Sequence, residues 1–451
     1  MDSKIDLKRE PDPQSKLGFW SSSALVVGNI IGSGIFLLPA TLAAYGSISL
    51  LGWLCSAVGA ILMALVFGEL GRLAPRTTGG PYAYTRISLG EFPAYLVAWS
   101  YWISIWVANA AIAVAFVSYL SIFIPILPER PPVAILTGLS VIWFLTWMNS
   151  KKIRTVASVQ LITTVLKLIP ILLIGVVGVF YIKIEHFPAF NLSGESNISA
   201  LTAATTLTFF AFLGMESATI PGSKIKNAET TIRNSTITGT FVTVVVYLLS
   251  SVAIMGILPA ETLATSNAPF ADAAAVFWGA SAKYVVAAGA IISTFGALNG
   301  WILIQGQIPM SAAQDKLFPK VFGKLNVNDS PAKGIVMSSI LASLLMILNY
   351  SKTLVDAFAF MIMLSTLSVL TPYLFSTASY VLQTIKLREG NLAGKLILAG
   401  LAFSFSLWVM VGSGPEVVFW GFMLLMAGIP FYVWMKIADP EYSGKPEKQS
   451  R

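Results

Sequence analysis

Apolar runs long enough to cross a bilayer, separated by short polar connections, recur along the whole of this chain. A helix rising 1.5 Å per residue needs roughly 20 mostly apolar residues to span about 30 Å of hydrocarbon. Twelve stretches answer to that length: residues 18–44, 47–74, 92–125, 131–149, 154–183, 199–222, 233–258, 278–312, 333–350, 354–384, 394–412 and 416–437. In lipid each backbone polar group must find its partner inside the protein, so every stretch is predicted as a helix and the fold class as all-α and polytopic.

Two spans are interrupted. The run Gly28-Asn29-Ile30-Ile31-Gly32-Ser33-Gly34 sets three glycines and two small polar residues in the middle of the first span. Glycine costs about 1 kcal/mol in a helix interior, so the helix is expected to unwind there and expose backbone N–H and C=O groups. Irregular backbone at membrane depth is tolerated where protein or a water-filled cavity satisfies it. The sixth span carries Phe212-Leu213-Gly214-Met215-Glu216-Ser217, with an ionisable carboxyl inside an apolar run. A carboxylate in hydrocarbon is costly and marks function, which makes Glu216 a candidate proton carrier or cation contact. Interruptions five spans apart lie in helices of opposite direction, the arrangement of inverted-repeat secondary transporters with a midplane site.

Composition agrees with lipid as the solvent: 56% of residues are hydrophobic and only 11% charged, against about a quarter charged in soluble domains. The placement of charge then gives orientation. With the N-terminus in the cytosol, only Arg130, Lys183, Lys283 and Lys352 of the 29 Lys and Arg fall on the outer side, and only Lys167 falls well inside a span, away from its ends. Both termini are therefore predicted to be cytosolic. The first 17 residues are polar and mixed in sign, without the apolar core of a signal peptide, and read as a cytosolic tail. Cys55 and His186 are the only residues of their kinds, which leaves no disulfide, Cys/His zinc site or intramembrane Ser-His-Asp triad. Glu69 stands near a span end and reads as a boundary carboxylate. Asn191 and Asn197 match glycosylation sequons in an expected outer loop.

The run Val27-Gly28-Asn29-Ile30-Ile31-Gly32-Ser33-Gly34-Ile35-Phe36-Leu37-Leu38-Pro39-Ala40 resembles the first helix of the bacterial basic amino acid/polyamine antiporters of the amino acid/polyamine/organocation superfamily, such as the arginine/agmatine antiporter. Gly79-Gly80-Pro81-Tyr82-Ala83-Tyr84 looks like that family's loop after span two, Gly214-Met215-Glu216-Ser217-Ala218 like its sixth helix, and Gly300-Trp301 like its eighth. The resemblance implies a LeuT-type 5+5 inverted repeat with discontinuous helices 1 and 6. Its domains would be a tail over 1–17, a ten-helix transport core over 18–384, two peripheral helices over 385–437 and a tail over 438–451. It puts a ligand α-carboxylate near the amides of Gly32, Ser33 and Gly34, where unpaired N–H groups favour an anion. The α-amino group would meet carbonyls around Ile30 and in the second break. Asn29, Tyr101, Asn109, Phe210, Leu213, Glu216, Trp301 and Ser365 would surround the rest.

Three positions depart from the arginine/agmatine pattern. Phe210 stands where that antiporter has tryptophan, which keeps an aromatic gate with a smaller face, and Ala297 replaces a serine. Lys167, inside span five, stands where the antiporter is apolar. In other branches of the superfamily a lysine at the similar place occupies the position of a sodium ion and bonds the unwound first helix near Gly28. The resemblance thus implies proton coupling or simple exchange rather than sodium coupling. The leading reading is a bacterial inner-membrane antiporter of basic amino acids or polyamines working by alternating access, with Phe210, Glu216 and Lys167 in gating or proton coupling. A proton-coupled symporter of neutral amino acids is the alternative that Lys167, Phe210 and Ala297 favour. A membrane receptor or enzyme is a remote third, since no paired carboxylates, metal ligands or signalling domain stand in the sequence. The expected partners are an amino acid or amine, protons, the lipid bilayer and a second copy in a homodimer. No cofactor, metal or nucleic acid is called for.

Overall fold

A computed structural model describes residues 17–32, 34–75, 77, 79–151, 169, 171–222, 225–349, 351–387 and 391–438. The predicted terminal tails, most of span five with Lys167, and Ser33 lie outside the described residues. The described chain is helical, its only bridge the isolated pairing of Leu17 with Ile225.

In chain order the helices are α1 (Phe19–Ile30), α2 (Gly34–Ala43), α3 (Ile48–Leu73), α4 (Pro81–Leu89), α5 (Glu91–Leu120), α6 (Ile126–Glu129), α7 (Pro131–Asn149) and α8 (Ile171–Tyr181). They continue with α9 (Asn197–Phe210), α10 (Ala228–Ile257), α11 (Ala260–Ala264), α12 (Pro269–Trp278), α13 (Ala280–Gln314), α14 (Ala332–Leu348), α15 (Leu354–Leu387), α16 (Leu392–Val411), α17 (Pro415–Met426) and α18 (Gly428–Ala438). Among the described residues nine helical stretches are long and apolar enough to cross a membrane, and two apolar helices are shorter. This is a multi-pass membrane protein.

Span boundaries moved where local chemistry required it. The third stretch, expected to run to residue 125, ends at Leu120, and the chain turns into Pro125, the cap of α6. The last stretch is divided at Ala427: Tyr95 donates its hydroxyl to the Gly428 carbonyl at 2.6 Å, and Trp99 Nε1 donates to the Leu424 carbonyl at 2.9 Å. Pro430 brings no N–H to the helix that follows.

Burial is graded from the inside out. In the most apolar window of α5, 94% of residues are buried, against 17% in the corresponding window of the stretch 415–437. Helix α5 packs on α15 and α13, while α3 packs on α9 and α10. Ion pairs tie helix ends together: Arg233 to Glu69 at 2.7 Å, Arg86 to Asp315 at 3.1 Å, and Lys436 to Glu91 at 2.7 Å. Tyr82 on α4 also donates to Asp315, at 3.1 Å. Burial first, then the nearby Asp315 carboxylate, pushes the Tyr82 phenol above its ordinary value and keeps it a donor.

Candidate functional site

Both expected interruptions are present, and they lie against each other. Helix α1 stops at Ile30 and α2 begins at Gly34. A Cβ on Gly34 would stand 3.2 Å from Ala211 Cα and from the Phe210 ring, so the missing side chain is what lets the two breaks approach. On the other side α9 ends at Phe210, and the chain passes through Gly214, at φ +99°, into a 3-10 turn over Met215–Thr219. That left-handed conformation suits glycine, and a Cβ there would also meet the Asn29 carbonyl and the Trp301 ring at 3.2 Å. Side chains repair the lost helical ladder. Thr219 donates to the Glu216 carbonyl at 2.6 Å, Ser217 donates to the Gly214 carbonyl, and Tyr247 donates to the Ile30 carbonyl at 2.9 Å. A carbonyl oxygen has two lone pairs, so Ile30 retains capacity for a second donor.

Between the breaks lies a cavity of about 40 Å³. One water needs roughly 10–15 Å³ by this measure, so it has room for a few waters and not for an amino acid. Of the residues expected around a ligand, Asn29, Ile30, Gly32, Gly34, Tyr101, Phe210, Leu213, Glu216, Trp301 and Ser365 line it. Ser33 lies outside the described residues, and Asn109 is buried beside the lining with its amide donated to Gln305.

Two long helices order the site from one end to the other. On α5, Tyr101 is followed by Ser104, Ile105, Ala108 and Ile112 in the cavity wall, then by Val114 and Val117 in a second, larger cavity of about 540 Å³. Antiparallel to it, α15 offers Ala357 and Met361 to the larger cavity and Ser365 and Val369 to the smaller one, and Tyr373 follows four residues on, bonded to Glu216. Ser365 donates to the Ser104 carbonyl at 2.8 Å, which pins the pair of helices beside the site. Phe210 of the smaller cavity stands edge to face with Phe358 of α15, the neighbour of Ala357 in the larger cavity's wall, with ring centroids 6.3 Å apart. At the opposite end both oxygens of the fully buried Glu216 carboxyl accept from phenols, Tyr101 at 2.6 Å and Tyr373 at 2.8 Å. The small cavity is thus bounded by an aromatic pair on one side and a Tyr-Glu-Tyr clamp on the other.

The family model described as amino acid permease matches residues 17–439, nearly the whole chain. The chain belongs to the amino acid permease family. Among curated relatives it is 32% identical to the cadaverine/lysine antiporter of Escherichia coli K12, over 81% of this chain and 83% of that protein. It is 28% identical to the arginine/ornithine antiporter of Pseudomonas aeruginosa, over 96% of this chain and 94% of the relative. A putrescine transporter of Escherichia coli K12 is also 28% identical, over 93% and 95%. The permease is accordingly related to transporters rather than to enzymes.

Sequence reasoning about this permease missed several residues of the site. Ser104, Ile105, Ala108 and Ile112 follow Tyr101 at i+3, i+4, i+7 and i+11, a spacing that puts them on one helix face and was available in the sequence. Val369 and Tyr373 follow Ser365 at i+4 and i+8 in the same way. Ala211 joins the lining through the second break.

Proposed function

We propose that this permease exchanges basic amino acids or their decarboxylated amines across a bacterial inner membrane, with the cavity between the two breaks as its substrate site. The observation that carries this reading is a buried cavity walled by the loosened backbone of α1 and of the Met215–Thr219 turn, with one carboxyl, Glu216, in its wall. Irregular backbone at membrane depth supplies donors for a carboxylate and acceptors for an amine, which together describe an amino acid. The relatives supply the charge class: an arginine/ornithine antiporter, a cadaverine/lysine antiporter and a putrescine transporter.

In this reading the fold is the LeuT-type inverted repeat of twelve spans, with residues 18–384 as the transport core, residues 385–437 peripheral and both termini cytosolic. The cytosolic ends of α5 and α15 are then Glu91 and Leu387, so the Tyr101–Glu216–Tyr373 clamp faces the cytosol and the larger cavity opens outward. Substrate descends past Val117 and Met361, the Phe210 ring closes over it, and the clamp parts on the inner side as the core rocks against its scaffold. Binding can shift such an equilibrium only by its differential affinity for the two states, so an empty carrier held by its clamp returns slowly and transport becomes exchange. Lys167, placed by resemblance near Gly28, and Glu216 are the proposed proton-responsive groups. The exposed aromatics Phe419, Trp420, Phe422, Phe431 and Trp434 on α17 and α18 offer a surface for the proposed homodimer.

Counterflow into liposomes tests the reading. Uptake of labelled ornithine should require unlabelled basic amino acid or amine inside. Accumulation driven by a pH gradient alone, with small neutral amino acids as substrates, would instead establish the symporter that Lys167, Phe210 and Ala297 favour; the Ala297 methyl stands 3.8 Å from where a Cβ on Gly32 would lie. Lys167→Ala should flatten the pH dependence of transport; unchanged pH dependence with unchanged rate would remove Lys167 from coupling.

A further inference from the structure

One side-chain amide beside the substrate cavity is held so that its oxygen has no partner. Asn109 on α5 is fully buried and flanked by the cavity-lining Ile105, Ala108 and Ile112. Its Nδ2 donates to Gln305 Oε1 at 2.6 Å, and its Oδ1 has no hydrogen-bond partner. Gln305 is fully buried too, one turn of α13 beyond the cavity-lining Trp301. The orientation of Gln305 is fixed from its far side. Its Nε2 donates to the main-chain carbonyl of Ile335 at 3.1 Å and to Ser339 Oγ at 2.9 Å. A carbonyl can only accept, so the Gln305 nitrogen must point at Ile335 and its oxygen must point at Asn109. Asn109 then has to present its NH₂, because the flipped amide would bring two acceptors together. Ser339 is held in turn by the Thr146 hydroxyl at 2.6 Å, so the orientation is set by groups on α7 and α14.

We infer that Gln305 is a positioning residue for substrate specificity: it locks the Asn109 amide with its oxygen free, as an acceptor for the cationic end of a basic substrate. This rests on the basic-substrate reading above. A buried acceptor without a donor is costly, and an ammonium or guanidinium group supplies the missing donor while a methyl group of equal size does not. Discrimination of this kind is stronger than that of an apolar pocket, because the wrong ligand leaves the polar group unpaired.

The test compares ornithine with norvaline, which lacks the side-chain ammonium, as stabilisers of the purified full-length protein, and as competitors in counterflow. Gln305→Met keeps the side-chain length and lets Asn109 turn over. It should cut the preference for ornithine over norvaline about ten-fold, the size of one hydrogen bond to a charged group. Norvaline binding and the melting temperature of the ligand-free protein act as controls for folding. Asn109→Ala should lower the preference equally, and adding Gln305→Met to it should change nothing more, since the glutamine acts through the asparagine. Asn109→Asp in the Gln305→Met background should restore the preference, because either carboxylate oxygen accepts. Additive losses in the double variant, or an unchanged preference in Gln305→Met, overturn the inference while leaving the basic-substrate reading standing. A wild-type protein stabilised by norvaline and not by ornithine overturns both.

Discussion

Tyr373 illustrates what a single side chain contributes to this site. It shares the buried Glu216 carboxyl with Tyr101 at hydrogen-bond distances of 2.8 and 2.6 Å, joining α15 and α5 to the Met215–Thr219 turn. A hydrogen bond to a charged group is worth about 1.5–3 kcal/mol, so losing one should weaken the inner closure without emptying the cavity wall. Tyr373→Phe is expected to leave ornithine-induced stabilisation within about three-fold of wild type and to raise the efflux from liposomes that lack external substrate roughly ten-fold. Unchanged efflux would show that the phenol does not restrain the empty carrier. Glu216→Gln should alter cation preference or the pH dependence of exchange, and wild-type behaviour in both would remove the carboxyl from the mechanism. The carboxyl itself was legible in the sequence because a lone acid in an apolar run is conspicuous. Its second phenol was not, since Tyr373 is one of 14 tyrosines and its role depends on which helix lies opposite.

At the scale of elements, the two breaks were readable because glycine clusters and small polar residues oppose a continuous helix whatever the tertiary context. Their mutual contact was not readable, since it depends on Gly34 meeting Ala211 and on Gly214 meeting Asn29 across nearly two hundred residues of chain. Gly214→Ala tests the fit. At φ +99° an alanine is strained, and its methyl would press on the Asn29 carbonyl and Trp301 at 3.2 Å. The cost is about 1–3 kcal/mol, and the expected outcome is a lower melting temperature with a loss of exchange. Full activity with unaltered stability would mean that the second break relaxes freely. The order of residues along α5 and α15 was partly legible, because the i, i+4 spacing from Tyr101 and from Ser365 is a property of any helix. Which face of each helix turned inward was not, for both are apolar nearly all round.

For the whole molecule, the charge pattern predicts sides that the packing alone does not distinguish. The single cysteine makes this easy to measure. In a Cys55→Ser background, Thr353→Cys at the larger cavity should react with an impermeant thiol reagent added outside intact cells, and Lys320→Cys should react only after the membrane is opened. The reverse pattern would invert the topology and with it the direction in which the clamp faces. The division of the last span at Ala427 has a consequence for how the protein is made. The carbonyls on either side of the division accept from Tyr95 and Trp99, which belong to a helix synthesised more than three hundred residues earlier. A carbonyl without a donor in hydrocarbon costs several kcal/mol. Residues 415–437 should therefore enter the bilayer as an uninterrupted apolar helix and divide only on meeting α5, so that the break at Ala427 reports that the central helix is already in place.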